Sequence, residues 1–349
     1  MIKYLGSKRT LIPTIRNVIN TIPNVTSVID LFSGTARVGH ALKKQGYQVF
    51  SNDHNAYAAT IARCYVQSNL SDWKNDAEKL IKEFSSIKGI DGYFTQTFCK
   101  DSRFFQPKNG RKIDAIREEI SRKSLPPELE SIMLISLMEA ADRVDSTTGV
   151  QMAYLKEWAS RAHKDLELRL PDLLDQGTNG KCRAHQLDAA TAAQKLNADV
   201  AYLDPPYNQH KYLGNYHIWE SLVLWDKPEV YGIACKRIDV RSRKSEFNSK
   251  RKALQAMEKV ILALQAPTLV ISFNNEGFIS KEEMEAILLQ KGKVLTIEKD
   301  YKRYVGAQIG IHNPSGKKVG KVSHLRNTEF IYVVSKRKQL LDTVAEQIN

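Results

Sequence analysis

The sequence lacks the features of a membrane or secreted protein. No apolar run approaches the roughly 18 residues that span a bilayer. The basic start, MIKYLGSKRTLIPTI, has no apolar signal core. Four scattered cysteines (Cys64, Cys99, Cys182 and Cys235) form no CxxC pair, which argues against structural zinc and a disulfide framework. We therefore expect a cytoplasmic protein with reduced thiols and no membrane partner.

Acidic residues are too few to balance the basic ones, and the net charge of the 349 residues is +13. The length suits one large or two modest domains. The segment Lys236–Lys252 carries eight Lys or Arg against Asp239 and Glu246, so it supplies +6 of that charge. Such a segment is either a solvated face or mobile loop, or a surface that contacts nucleic-acid phosphates.

We favour the phosphate-contacting interpretation of this segment. A second basic stretch, Tyr301–Tyr304, combines cations with aromatic rings and could equally be a solvated edge strand. The candidate DNA-binding residues of the two stretches are Lys236, Arg237, Arg241, Arg243, Lys244, Lys250, Arg251, Lys302 and Arg303.

The N-terminal region has the pattern of a βαβ unit. A short β-branched strand, Ser27–Leu31, leads into Phe32-Ser33-Gly34-Thr35-Ala36 and a helical pattern, and a second strand, Gln48–Ser51, leads to Asp53. Small residues let the backbone approach a ligand, and an acid after the second strand can bind ribose hydroxyls. An ordinary tight turn and a helix N-cap are the alternatives. GxGxxG is absent, so the loop suits a nucleoside cofactor better than a pyrophosphate.

The apolar stretch Val200–Leu203 is followed by the four candidate catalytic residues, Asp204, Pro205, Pro206 and Tyr207. Asp204 and the Pro205 carbonyl can accept hydrogen bonds from an amino group, proline stiffens the turn, and Tyr207 offers a ring for stacking. The plain alternative is a Pro-Pro turn after a strand. Strand ends of an open parallel sheet meet at one edge, so this motif and the Gly34 loop can be neighbours in space.

Helical patterns dominate residues 67–180. The predicted helices there are Trp73–Phe84, Lys112–Arg122, Pro127–Arg143 and Gln151–Arg161. Strands are predicted again afterwards at Lys181–Leu187, Ala198–Leu203, Thr268–Phe273, Val294–Glu298 and Thr328–Val334, with a basic hairpin or loop at Lys302–Lys321. We predict a catalytic domain made of 1–66 and 181–349, interrupted by a helical module at 67–180.

Five motifs follow one another in a fixed order: KYLGSK (Lys3–Lys8), DLFSGTARVG (Asp30–Gly39), SNDHN, HQLDA and DPPY. In these the chain resembles the α-order DNA adenine-N6 methyltransferases, the Dam type and more closely the methylases that accompany type IIS restriction enzymes. The resemblance covers nearly the whole chain. It implies an α/β fold with a doubly wound, Rossmann-like methyltransferase sheet and a target-recognition module at 67–180. It also implies S-adenosyl-L-methionine as cofactor and double-stranded DNA as partner, and leaves open whether a cognate restriction endonuclease exists.

The same resemblance implies which residues contact the cofactor: Tyr4, Ser7, Lys8, Asp30, Phe32, Gly34, Thr35, Ala36, Asp53, Asp188 and Asp204. Asp188 matches the position that contacts the cofactor's adenine, with a helix cap as its alternative. The family's loop commonly reads FxGxG, whereas Ala36 stands at the second glycine here. Alanine costs little unless that residue needs a positive φ, so we expect a working site with a slightly different loop.

The implied reaction needs the target adenine to be flipped from the duplex. Stacking on Tyr207 offsets part of that cost, while Asp204 and the Pro205 carbonyl localise the amino lone pair and stabilise positive charge. No metal and no covalent intermediate are needed. Three alternatives stay open: an RNA adenine methylase, a protein glutamine methyltransferase (typically with Asn at the Asp204 position) and a non-catalytic DNA-binding protein on this scaffold.

Aromatic residues follow DPPY closely. Tyr212, Tyr216, His217 and Trp219 are either core residues of a helix or walls of the base pocket.

Overall fold

A computed structural model describes residues 1–6, 8–302, 311–312, 318–320 and 326–348. At its centre is a seven-stranded sheet. The strands of this sheet are β1 (Ser27–Asp30), β2 (Gln48–Asn52), β3 (Arg183–His185), β4 (Val200–Leu203), β7 (Thr268–Asn274), β8 (Lys293–Lys302) and β11 (Arg326–Ser335). Two small hairpins lie outside it: β5 (Val230–Tyr231) with β6 (Lys236–Arg237), and β9 (Ile311–His312) with β10 (Lys318–Gly320).

Helices occupy most of the chain between the strands. They are α1 (Ile12–Thr21), α2 (Arg37–Lys44), α3 (Ala56–Ala62), α4 (Leu70–Ser86), α5 (Tyr93–Thr95), α6 (Pro107–Lys123), α7 (Pro127–Asp142), α8 (Ala189–Lys195), α9 (Tyr212–Asn215), α10 (His217–Leu224), α11 (Ala253–Ala263), α12 (Lys281–Leu289) and α13 (Lys338–Ile348). Their starts follow known rules, since α6 and α7 begin with proline and α12 has a Ser280–Glu283 capping box. None of the described helices is long and apolar enough to cross a membrane.

The strand order is β3-β2-β1-β4-β7-β11-β8. The pairs from β3 to β7 are parallel, and β11 runs antiparallel between β7 and β8. The chain moves outward from β1 to β3 and then returns to place β4 on the other side of β1. This reversal makes the β1–β4 boundary the topological switch point, where open α/β sheets bind their ligands. The fold is a doubly wound, Rossmann-like α/β fold.

Both faces of the sheet are covered, which explains why strands such as β4 are apolar at every position. Val200 and Tyr202 belong to one apolar cluster, which includes residues of α1, α2, α3 and α13. Ala201 and Leu203 belong to a second cluster, with residues of α8, α11 and α12. A strand buried on both sides has no solvent face, so it shows a continuous apolar run instead of alternation.

The helices between β2 and β3 pack on the first of these faces. Helices α4, α6 and α7 contribute apolar side chains to the same cluster as α1–α3 and α10. Helix α7 contacts α3, α4, α6 and α10. The division into a catalytic domain and a recognition module at 67–180 stays a prediction.

Several predicted elements differ from the structure. The predicted helix at Gln151–Arg161 is wrong: turns, bends and irregular chain occupy most of this stretch, and only Ser160–His163 forms a short 3-10 helix. Long-range hydrogen bonds hold loop 146–155 instead. The Gln151 backbone N–H donates to the Asn215 carbonyl, and the Gln151 side-chain oxygen accepts from the Ile218 N–H. The predicted strand Val294–Glu298 extends over Lys293–Lys302, because β11 pairs with it along its full length.

The predicted basic hairpin or loop at Lys302–Lys321 is described only in part. Within it, β9 and β10 pair antiparallel. The other residues of this stretch after Lys302 lie outside the described part of the chain.

Candidate active site

A cavity of about 420 Å³ opens at the carboxyl ends of β1 and β4. Its volume lies within the usual range for small-molecule sites. It brings together residues from five separate motifs of the sequence. Of the residues predicted to bind cofactor or catalyse, those that line it are Tyr4, Lys8, Asp30, Phe32, Gly34, Thr35, Asp53, Asp188, Asp204 and Pro206. Ala36, Pro205 and Tyr207 lie beside it without forming its wall, and Ser7 lies outside the described residues.

The loop after β1 contains two residues in the left-handed backbone conformation. Gly34 has φ of 52°, and Ala36 also takes the left-handed conformation, with φ of 56°. Alanine was expected to cost little only where φ is not positive; Ala36 does have a positive φ, so its conformation costs on the order of 1 kcal/mol. Surrounding contacts hold it there: Ala36 is fully buried, and its N–H donates to the Ser33 carbonyl at 2.7 Å.

Two acids, Asp53 and Asp30, hold the loop after β1 by accepting hydrogen bonds from it. The Asp53 Oδ2 accepts from the Gly34 N–H at 3.0 Å, and its Oδ1 accepts from the Asn55 N–H at 3.0 Å. Asp30 Oδ2 accepts from the Ser33 hydroxyl at 3.1 Å and from the Gly39 N–H at 3.2 Å. Burial raises the pKa of Asp53 and raises that of Asp30 to about 7. The acid after β2 thus reaches across to the glycine loop, as the βαβ pattern requires.

Asp188 combines its two alternative roles. Its side chain caps α8 by accepting from the Ala190 N–H at 2.9 Å, and it also lines the cavity. Capping uses Oδ1, so the second carboxylate oxygen can accept a hydrogen bond from a ligand on the cavity side. The helix-cap and ligand-binding interpretations are therefore compatible.

An aromatic stack places the N-terminal segment against the cavity. The Tyr4 ring lies nearly parallel to those of Tyr216 and Tyr212, with centroids 4.5 and 5.3 Å away. The Tyr4 ring also packs close to Gly34, where a side chain's Cβ atom would lie 3.5 Å from the ring. The opening motif is therefore adjacent to the glycine loop. Tyr216, His217 and Trp219 are buried core residues, whereas Tyr212 lines the cavity.

Asp204 stands at the end of β4 in a cluster of charged groups. The Lys8 ammonium lies 3.1 Å from Asp204 Oδ1 and also contacts Glu329. Burial alone would lower the pKa of Lys8, but attraction to both carboxylates outweighs burial and raises it well above its usual value. Burial raises the pKa of Asp204 to about 6, an increase that Lys8 opposes and Glu329 reinforces. Asp204 is therefore ionised at neutral pH and can accept a hydrogen bond from a ligand.

Glu329 is the functional candidate that the sequence interpretation missed. It stands on β11, 321 residues from Lys8, so no local motif connects the two. One signal was available: in the alternating strand, Glu329 shares a face with Ile331 and Val333, which are both fully buried. An acid on the inward face of a strand needs a partner, because an unpaired buried charge is costly.

Tyr207, another catalytic candidate, lies next to Lys8 of this charged cluster. Its ring makes an edge contact with Phe273 at 6.0 Å, and the Lys8 ammonium lies 5.9 Å from its centroid. The Tyr207 carbonyl accepts from the Phe278 N–H at 2.8 Å. Across the described residues, no group of three or more His, Cys, Asp or Glu is arranged to hold a metal ion.

Comparison with known proteins assigns the chain to a family. Residues 4–287 match the model of the D12 class N6 adenine-specific DNA methyltransferases. The chain belongs to this family.

Named relatives include modification methylase StsI of Streptococcus sanguinis, 32% identical over 305 residues, which make up 82% of this chain and 46% of StsI. The type II methyltransferase M.FokI of Planomicrobium okeanokoites is 32% identical over 313 residues, 83% of this chain and 47% of that protein. The type II methyltransferase M.NlaIII of Neisseria lactamica is 29% identical over 339 residues, 94% of this chain and 99% of that protein. The chain thus spans about half the length of the first two relatives.

In this D12-class chain, the basic segment Lys236–Lys252 divides into paired and free cations. Arg237 is only 3% exposed and binds both Asp226 and Asp239, at 2.7 and 3.0 Å. Arg243 binds Asp239 and the fully buried Glu220, at 3.1 and 2.8 Å. Both guanidinium groups are engaged by the fold itself, so the structure does not favour the predicted phosphate-binding role for Arg237 and Arg243.

Most of the other cations of the segment are exposed. Arg241, Lys244, Lys250 and Arg251 have no carboxylate partner among the described residues, although the Arg241 guanidinium lies 4.0 Å from the centroid of the Tyr231 ring. Lys252 pairs with Glu246 at 3.1 Å. Lys236 is half-buried, and its ammonium contacts the Met152 sulfur at 3.2 Å. Only the backbone of Lys302 is described, and Arg303 lies outside the described residues.

The same segment forms one wall of the cavity. Residues 243–248 line it, and the Phe247 ring meets the Phe32 ring edge-on at 5.2 Å. The Asn248 amide donates to the Asn208 carbonyl at 2.7 Å and to the His210 carbonyl at 3.1 Å. The basic segment is therefore fixed both to the glycine loop and to the chain that follows Tyr207.

The pairing of Arg237 generates a stability prediction. We expect Arg237→Ala to lower the free energy of unfolding by about 2 kcal/mol, because it removes a buried side chain and its ion pairs, while Asp226 is 44% exposed and Asp239 keeps Arg243 as a partner. Urea unfolding at neutral pH measures this change. The exposed Lys244→Ala variant serves as control and should stay within about 0.5 kcal/mol of the wild type. An Arg237→Ala protein of unchanged stability but reduced DNA affinity would restore the phosphate-contact interpretation.

Proposed function

We propose that this chain is a site-specific DNA adenine-N6 methyltransferase that transfers a methyl group from S-adenosylmethionine to a flipped-out adenine in duplex DNA. The observation that carries the proposal is the shared cavity: the Gly34 loop, Asp53 and Asp204 line one space at the switch point of the sheet. A nucleoside cofactor and an amino-group acceptor can therefore meet there. The names of the relatives, which are modification methylases and type II methyltransferases, agree with this chemistry.

The cavity residues fit the proposed cofactor in charge and shape. Asp53 can accept hydrogen bonds from ribose hydroxyls, and Asp188 from an adenine amino group. Phe32 and Phe247 offer apolar ring surface. The Asp204 carboxylate, which is ionised at neutral pH and lines the space, suits a positively charged sulfonium compound. When bound, S-adenosylmethionine supplies an electrophilic methyl group to the acceptor nitrogen.

Asp204 then performs the central task among the residues of the chain. Lys8 occupies its Oδ1, and among the described residues no donor contacts Oδ2. This second oxygen can accept one N6 hydrogen of adenine, while the Pro205 carbonyl accepts the other. Both acceptors favour a localised lone pair on nitrogen and stabilise the positive charge that develops there. Positioning and electrostatics supply the acceleration, with no covalent intermediate on the protein.

The DNA surface in this proposal combines the free cations with the helical region. Arg241, Lys244, Lys250 and Arg251 contact phosphates next to the cavity wall, and residues 67–180 and 208–250 carry the groups that read bases. A restriction endonuclease that cleaves the same sequence is the proposed functional counterpart, because two of the relatives are modification methylases.

Catalysis should depend most strongly on Asp204. We expect Asp204→Ala to reduce methyl transfer on the order of a thousandfold or more while DNA binding persists, because the amino-group acceptor is removed. Transfer of tritium-labelled methyl groups from S-adenosylmethionine to duplex DNA measures this, with RNA of matching sequence as a second substrate. Near-normal turnover of the variant would reject the mechanism, and a preference for RNA would reject the assigned substrate.

Substitutions at Tyr207 separate stacking from hydrogen bonding. Tyr207→Phe should be mild and Tyr207→Ala severe, because stacking of a base on a ring contributes about 1–3 kcal/mol and needs no hydroxyl. Steady-state kinetics on duplex DNA, with folding checked by thermal melting, compare the two variants. Similar activity losses for both would count against a stacking role.

The free cations should determine how DNA binding responds to salt. Replacing Lys244, Lys250 and Arg251 together by alanine should flatten the dependence of log K on log salt by roughly one unit for each phosphate that is no longer neutralised. A matched control replaces Lys336, Arg337 and Lys338, which are also exposed. They follow the carboxyl end of β11, which runs antiparallel to β7, so they lie at the end of the sheet away from the cavity. Equal slopes for both triple variants would place the basic segment away from DNA.

A further inference from the structure

One ammonium group in the cavity wall contacts two acids. Lys8 contacts Asp204 Oδ1 and Glu329 Oε1, and the side chains of Lys8 and Glu329 are only 9% and 4% exposed. Asp204 is 19% exposed, since it faces the cavity. Lys8 therefore stands between a carboxylate directed toward the ligand space and one buried behind it.

Strand β7 holds Glu329 in this place. In the antiparallel pairing of β11 with β7, Glu329 lies opposite Asn274. Its Oε1 accepts from the Ser272 hydroxyl at 2.8 Å, and its Oε2 accepts from the Asn274 amide at 3.1 Å. With Lys8, three donors from two elements converge on this carboxylate. An ionised side chain with such partners is fixed in both position and charge.

The charge balance of the three residues bears on the proposed reaction. Lys8 with Asp204 alone would form a neutral pair, and its cation would lie next to the nitrogen that becomes positive during transfer. Glu329 adds a second negative charge, so the cluster as a whole carries a net negative charge. Fixed negative charge beside a cationic transition state lowers its free energy, and its effect is large where water is excluded.

We propose that Glu329 is a positioning residue for methyl transfer, which engages Lys8 from behind and so keeps Asp204 available as the acceptor of the target amino group. The inference rests on the proposed function and deepens it, since it assigns a role in the same site to a residue outside the five motifs. Glu329 acts through Lys8 and need not touch substrate or cofactor.

The acid limb of the pH profile reports this role. Asp204 must be ionised to accept, so activity falls as the pH falls through its pKa of about 6. Removing the negative charge of Glu329 lowers the pKa of Asp204, and removing the positive charge of Lys8 raises it. The other ionisable groups that face Asp204 are Asp30, Tyr202, Tyr207 and Tyr212.

The test compares Glu329→Gln with wild type by kcat against pH on duplex DNA. We expect kcat at neutral pH to fall about tenfold and the acid limb to move to lower pH by on the order of one unit, with DNA affinity unchanged. Glu346→Gln is the matched control, because it makes the same chemical change at an exposed acid on α13, away from the cavity. Its acid limb should coincide with that of the wild type.

A charge-compensation experiment separates this role from a structural one. Lys8→Met should move the acid limb to higher pH, and the double variant Lys8→Met/Glu329→Gln should bring it back toward the wild-type position, because both charges are then absent. A purely structural role predicts lower melting temperatures and additive losses of activity, with the acid limb of each folded variant unmoved.

Two failures can be told apart. A wild-type protein that methylates no adenine overturns the proposed function. A wild type that methylates adenine, together with a Glu329→Gln variant whose kcat and acid limb are unchanged, overturns only the role of Glu329.

Discussion

The pairing of β1 with β4 is the constraint on which the site depends. The two strands are parallel neighbours in the sheet, but the chain continues from β1 to β2 on one side and from β4 to β7 on the other. Their carboxyl ends therefore open into a shared crevice. One end supplies the Gly34 loop and the other supplies Asp204. About 170 residues separate these motifs in the sequence, and only the parallel register brings them together. Tyr4, Gly6 and Lys8 of the opening motif, together with residues 243–248, then complete the cavity.

Near this crevice, two cations each pair with two carboxylates. Lys8 is shared by Asp204 and Glu329, and Arg243 is shared by Glu220 and Asp239. Lys8 connects elements that are distant in sequence, and Arg243 connects the basic segment to α10. Such pairs specify one arrangement more than they add stability. Glu220 also accepts from the N–H groups of Ala56 and Tyr57 at the start of α3. The cofactor side and the basic segment are thereby held in fixed relation.

The sequence was sufficient for the strands that end in motifs, because a buried parallel strand has a recognisable apolar run and its exit residues are distinctive. It was insufficient where long-range partners decide the outcome. In the sequence, Arg237 cannot be told from the other cations, and only the structure shows its ion pairs with Asp226 and Asp239. The role of Glu329 likewise becomes visible only through its ion pair with Lys8. The stretch 151–161 has a helical composition, yet contacts with α9 and α10 hold part of it in turns. Local propensity is a weak prior against such contacts.

The central claim is that this cavity directs a methyl group to the amino nitrogen of adenine in DNA. The most direct measurement is long-read sequencing of DNA from a host that expresses the chain, scored for modified bases. We expect N6-methyladenine at one recurring sequence context and none in a host that carries the empty vector. Unmodified DNA from a host with folded, abundant protein, or methylation confined to cytosine, would contradict it.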